Sequence, residues 1–85
     1  MEDKKLVGKV SHYYAKIGVA VVDLTDSLTV GDQISIEGTT TNIQQTVDSM
    51  QVEHKAVKTA TKGNSVGMKV SDKVRGGDNV YKVVG

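Results

Sequence analysis

The clearest alternation of apolar and polar positions lies in the segment Leu28–Gly38. An apolar anchor leads into a Gly-Asp turn. The strand that follows places Ile34 and Ile36 on one face, and the polar positions Ser35 and Glu37 on the other. A turn followed by a period of two is typical of a small antiparallel β-protein. The segment therefore predicts a tight turn followed by a short strand.

The same periodicity recurs between glycine-rich turns and predicts six strands. Because closure removes the exposed edges of a small sheet, we expect one all-β domain over residues 1–85, a single closed six-stranded β-barrel. The interrupted alternation in the fourth strand predicts a bulge or a strong twist. The predicted strands are Leu6–Tyr14, Ile17–Leu24, Gln33–Glu37, Ile43–Val52, Val66–Val70 and Val80–Val84.

The segment His54–Asn64 is basic and poor in large apolar residues, so we expect a loop there. A short helix over residues 52–62 stays open as an alternative. It would align four apolar residues along one side. They are Val52, Ala56, Val57 and Ala60.

The second predicted strand is apolar on both faces, which indicates that both faces are covered. Ala20, Val22 and Leu24 form one set, and the other set needs a cover from outside a small barrel. Exposed apolar area of this kind marks interaction surfaces. The candidate protein-interaction residues are therefore Ile17, Val19 and Val21.

Composition narrows the class of protein. The chain has 85 residues, nine glycines, no proline and no cysteine, which fits one domain and excludes disulfides, thiolate zinc sites and a cysteine nucleophile. The charged start of the chain and the lack of a long apolar run predict neither a signal peptide nor membrane contact. We expect a cytoplasmic protein.

Charge is unevenly distributed although the formal net charge is +1. Residues 43–85 hold seven Lys or Arg and four Asp or Glu, whereas residues 1–42 hold four Lys and six Asp or Glu. Cations on neighbouring loops can neutralise phosphates, and tyrosines such as Tyr13, Tyr14 and Tyr81 can stack on bases or plug the ends of a barrel. A solvated loop is the alternative. The candidate nucleic-acid-binding residues are Lys55, Lys58, Lys62, Lys69, Lys73 and Arg75.

Catalytic patterns are weak. His12 and His54 are the only imidazoles, and their sequence neighbours would point to opposite faces of a strand, so we expect surface histidines. Two distant histidines offer no metal-ligand spacing, and no phosphate-binding loop is present. Four aspartates flank turns, where backbone bonding is their usual role. We expect no catalytic residue, metal, nucleotide or cofactor; the aspartates are Asp23, Asp26, Asp72 and Asp78.

Several blocks, in order and spacing, carry a resemblance to known proteins. Gly8-Lys9-Val10 opens the first strand, Leu28–Gly38 follows, and Lys73–Val83 closes the chain. Together with Val47–Val52 and Lys62-Gly63-Asn64, they resemble the β-barrel second domain of translational GTPases such as elongation factor Tu. A further block, Val7–Tyr14 together with Ile17–Val22, resembles small translation elongation factor-like proteins and is similar as well to the C-terminal barrel of collagenase-like peptidases. Neither the elongation factor-like proteins nor the collagenase-like peptidases imply a catalytic residue in this chain.

The resemblance implies a non-enzymatic binding module that is associated with RNA or the ribosome, with tRNA or rRNA as partners. The basic face of residues 55–75 would carry the contact. The alternative is a protein-interaction module, either a homodimer or a small subunit docked on a larger enzyme. A small enzyme is the least favoured of the three hypotheses.

Overall fold

A computed structural model describes residues 3–84, so positions 1, 2 and 85, including part of the charged start of the chain, lie outside the described residues. Within residues 3–84 every regular element is a β-strand, which confirms the all-β prediction. The strands are Asp3–Tyr14 (β1), Val19–Leu24 (β2), Leu28–Thr29 (β3), Gln33–Glu37 (β4), Asn42–Thr46 (β5), Met50–Val52 (β6), Lys55–Val57 (β7), Thr59–Ala60 (β8), Ser65–Lys69 (β9) and Asn79–Val84 (β10).

Eight strands form one antiparallel sheet in the order β5-β4-β10-β1-β2-β9-β6-β7, and β3 pairs with β8 in a separate ribbon. The long first strand occupies the centre of the sheet between β10 and β2. Its two register shifts, between Leu6 and Gly8 and between Val10 and His12, are bulges that bend the strand. The sheet therefore curls around one core.

The prediction of a closed six-stranded barrel is wrong, because β5 and β7 remain at the two ends of the sheet order. The predicted strand Ile43–Val52 divides into β5 and β6. Between them, Val47 turns inward, and its backbone N–H donates to the Asp32 carbonyl while its own carbonyl accepts from Gly31, both at 2.9 Å. This pairing with the turn before β4 interrupts the ladder that would have closed the sheet.

One side chain spans the gap where the ladder is missing. The Gln45 amide nitrogen donates to the Lys69 carbonyl at 2.9 Å, and the Ser71 backbone N–H donates to the Gln45 amide oxygen at 2.8 Å. The side-chain amide thus makes the donor and acceptor bonds that a neighbouring peptide unit makes in a sheet. A side chain, and not a strand pair, holds β5 beside the end of β9.

The core is aliphatic and lies on the inner face of the curled sheet. Its largest fully buried side chains are Leu28, Ile34, Ile36, Met50 and Met68. The strand Gln33–Glu37 matches its predicted bounds. Ser35, on the face opposite Ile34 and Ile36, is also fully buried, and its hydroxyl donates to the Glu37 carboxylate at 2.8 Å.

The segment predicted as a loop or short helix contains two strands, β7 and β8. The hairpin from β6 to β7 pairs Val52 with Lys55 and leaves Glu53 and His54 as a two-residue turn. Their φ angles are +52° and +65°. Positive φ at both turn residues is the geometry of a type I′ hairpin, which Asn-Gly adopts without strain. Local apolar spacing could not predict this hairpin, because β6 is positioned by its pairing with the distant strand β9.

Candidate functional site

A groove of about 370 Å³ lies on the outer face of the sheet. Three adjacent strands form its base, and their register places Val21, Gly67 and Gln51 side by side. Val19 and Ser65 extend the base along β2 and β9. Since side chains alternate across a strand, these positions face away from the core that their neighbours fill.

Gly67 makes the base of the groove concave. It sits in the middle of β9, between β2 on one side and β6 on the other. A Cβ placed on Gly67 would meet only the Val19 Cγ1 atom, at 3.4 Å. The space above the strand is therefore left by the missing side chain.

The turn between β6 and β7 forms one wall. Glu53 and His54 both line the groove and both hold a left-handed backbone conformation. Residues with a Cβ pay a steric cost there, on the order of 1–2 kcal/mol each. Such strain concentrates at functional sites.

Two residues line one end of the groove: Tyr14, the last residue of β1, and Ile17, in the turn before β2. Ile17 is 62% exposed and Tyr14 is 49% exposed. The His12 ring contacts the Tyr14 ring edge-on, with centroids 4.4 Å apart. Two large apolar side chains are thus held at the surface beside an apolar concavity.

The predicted interaction residues Ile17, Val19 and Val21 come together in this groove. Sequence reasoning missed the remaining lining residues. Among them, Gly67 could have been noticed in the sequence, since a glycine inside an alternating strand often marks a bulge or a place where a ligand or another backbone approaches closely. The turn residues gave no signal, because their backbone conformation is set by the hairpin.

The six candidate basic residues are exposed but belong to separate segments. Lys55 begins β7 and Lys58 lies between β7 and β8. Lys62 precedes β9 whereas Lys69 ends it, so the length of that strand, roughly 13 Å, separates them. Lys73 and Arg75 lie in the loop before β10.

The four turn aspartates make structural hydrogen bonds. Asp26, Asp72 and Asp78 accept from backbone N–H groups of nearby residues, as predicted. Asp23 instead accepts from the Ser65 hydroxyl at 2.6 Å. The two histidines are exposed, and His54 lines the groove.

Two exposed ion pairs shift carboxyl pKa values. Lys4 hydrogen-bonds Glu37 at 2.7 Å and lowers the pKa of that carboxyl, with help from Ser35. Lys5 does the same to the pKa of Asp26 at 2.7 Å, where the Ser27 N–H adds a second hydrogen bond. Both pairs lie outside the groove lining.

Residues 3–84 contain no group of three or more His, Asp or Glu positioned to hold a metal ion. The same part of the chain has no helix long and apolar enough to cross a membrane.

No family model matches the chain. It is 45% identical over 76 residues to an uncharacterized protease of Methanocaldococcus jannaschii, a match that covers 88% of this chain and 19% of that protein. It is 38% identical over 81 residues to a collagenase of Porphyromonas gingivalis, covering 93% of this chain and 22% of the collagenase. The chain therefore spans about a fifth of the length of these relatives.

The fold matches the C-terminal domain of a Geobacillus thermoleovorans protein described as a U32 peptidase. The TM-score is 0.86 at 21% identity, with 92% of this chain and 91% of that domain covered. A second crystal structure of the same domain gives a TM-score of 0.85. The chain thus has the fold of a U32 peptidase C-terminal domain.

These relatives correct two predictions and support part of a third. The expected RNA- or ribosome-associated, translation-related module is wrong, since the relatives are named protease and collagenase and the fold is that of a U32 peptidase domain. The prediction of no enzyme is contradicted for the same reason, since the relatives that contain such a domain are named as peptidases, although the matched part is about a fifth of each. Of the two resemblances, that to collagenase-like peptidases is supported and that to elongation factors is not shown.

Proposed function

We propose that this chain is a module of a U32-type peptidase and acts together with a catalytic segment of that class. The observation that carries the proposal is the 45% identity to a protease along 88% of the chain. The match extends over 76 residues and hence over most of the domain. The common fold with a U32 peptidase C-terminal domain supports the same conclusion.

The relative lengths support a division of labour. The match covers 19% and 22% of two peptidase-named relatives, so about four fifths of each lie outside it. We assign peptide-bond hydrolysis to a segment of that kind, and to this chain a supporting role beside it. The segment is either part of the same polypeptide or a separate subunit.

A domain exchange tests this proposal. The 81 matched residues of the Porphyromonas collagenase are deleted, or replaced by this chain, and gelatin hydrolysis is measured. We expect deletion to reduce hydrolysis and the exchange to recover most of it, because the two sequences are 38% identical over that region.

A version in which an unrelated β-domain replaces the 81 residues is the matched control. Circular dichroism and sedimentation establish that each protein is folded and soluble. A folded exchange protein with no more activity than the unrelated-domain control would overturn the proposal.

A further inference from the structure

The fold itself does not require glycine at position 67. The backbone of Gly67 is not in the left-handed region, and a Cβ there meets one methyl group at ordinary contact distance. Glycine in a strand interior weakens the strand and often marks a place where a ligand or another backbone approaches closely. The concavity it leaves is open to solvent on the outer face of the sheet.

The strained turn supplies a second, independent observation at the same place. Glu53 and His54 hold positive φ angles and both line the groove above Gly67. An Asn-Gly turn would form the same hairpin without strain. The strain thus keeps two polar side chains at the wall of an apolar concavity.

The size of the groove decides the kind of occupant. Its volume of about 370 Å³ is at the lower end of ligand sites, which range over roughly 300–1,000 Å³. Nine residues line it, whereas a stable interface between proteins uses about 20–30 residues on each side. A second copy or a whole domain needs more surface than this groove provides. A short extended segment fits it.

Position favours a separate peptide. Tyr14 lines the groove, and Asp3 lies at the other end of the same twelve-residue strand. In a C-terminal domain the preceding polypeptide joins at the start of the first strand. The groove therefore lies at the end of β1 opposite to that start.

We propose that the groove over Gly67 binds an extended peptide through one large apolar side chain. The side chain occupies the space above Gly67 against Val19 and Val21, with Ile17 covering its end. Gln51 and His54 supply hydrogen-bonding groups at the rim. To call this peptide a substrate rests on the proposed function, whereas its binding to this chain does not.

The test is an NMR titration of the isotope-labelled 85-residue chain. The probes are acetylated, amidated peptides SGSXASGS, in which X is leucine, phenylalanine or glycine. We expect the leucine and phenylalanine peptides to bind about tenfold or more tightly than the glycine peptide, because only they bury a large side chain. The amide signals of Val19, Val21 and Gly67 should shift.

Three variants locate the site. Gly67→Leu fills the concavity and should weaken leucine-peptide binding about tenfold without loss of thermal stability. Ile17→Ser should weaken it severalfold. Leu6→Ser is the matched control, since Leu6 is 48% exposed but lies outside the groove, and should leave binding unchanged.

Equal binding of the three peptides, or full binding by Gly67→Leu, would overturn the proposal. Self-association that Gly67→Leu abolishes, with no peptide binding, would also overturn it and assign the groove to a second copy. Peptide binding together with an inactive collagenase exchange would retain this inference and reject the proposed function. The two failures are therefore distinguishable.

Discussion

The inner and outer faces of β2 and β9 differ in how completely their residues are buried. On the inner face, Ala20, Val22 and Met68 are fully buried. On the outer face, Val19 and Val21 are only partly covered, and Gly67 stands between residues that do not fill the space above it. The inner residues are explained by the stability of the domain. The outer ones are not explained in this way, and the proposed peptide site lies there.

The largest expected effect comes from truncation on the inner face. Met68→Ala should lower the free energy of unfolding by about 2–5 kcal/mol, because it leaves a cavity in a closed core. Its sequence neighbour on the outer face is the control: Gly67→Ala should raise stability by about 0.5–1 kcal/mol. Urea denaturation measures both. Similar losses for the two variants would show that the outer face is also part of the core.

The turn at the groove wall should give a smaller change of opposite sign. Replacing Glu53-His54 by Asn-Gly should raise the free energy of unfolding by about 1–2 kcal/mol, since the new residues accept positive φ. His54→Ala is the control, because alanine retains the Cβ and hence the steric cost. Thermal denaturation compares them. Equal melting temperatures for the double variant and the native chain would mean that the turn stores no strain.

A third variant tests whether the Gln45 side chain holds β5 beside the end of β9 in place of backbone pairing. Gln45→Ala removes two hydrogen bonds and should lower stability by about 1 kcal/mol. Its sharper signature is local: hydrogen exchange at the Ser71 amide, which loses its acceptor, should accelerate. Gln44→Ala is the control, as Gln44 is exposed and makes neither bond. Unchanged exchange at Ser71 would contradict this interpretation.

The surface ion pairs should have the smallest effect. The pKa values of Glu37 and Asp26 are lowered from their ordinary values of 4.5 and 3.8, so their stabilisation is present above those values and is lost as pH falls through the lowered ones. We expect a slight fall in stability below about pH 4.5, weaker in high salt. Glu37→Gln should flatten the profile. The exposed Asp48→Asn should leave it unchanged.

Local patterns predicted several features because short-range chemistry determines them. The strand Gln33–Glu37 follows from alternation and a Gly-Asp turn, and the shared face of Val19 and Val21 follows from the period of two. Ile17, where the second strand was predicted to begin, lies in the turn before β2. The broken alternation of Ile43–Val52 predicted an irregularity, but its division into two strands was not predictable. It depends on a pairing of Val47 with Gly31 and Asp32, residues distant along the chain.

The predicted functional class was wrong, as the relatives named protease and collagenase show, because a basic composition does not by itself identify a ligand. The cations of residues 55–75 are exposed on separate segments, and their role as a phosphate-binding face stays a prediction. The apolar outer face of β2 could be predicted from the sequence, whereas only the sheet register places Gly67 beside Val21.

The sequence by itself determined that this chain is an all-β domain with an aliphatic core, because alternation, β-branched residues and glycine turns are local properties. It also determined that β2 is apolar on both faces. The tertiary structure decided that the sheet stays open at Gln45, that Glu53 and His54 form a strained turn, and that Gly67 leaves a groove. Each of these depends on which strands become neighbours, and strand pairing is a property of the whole chain.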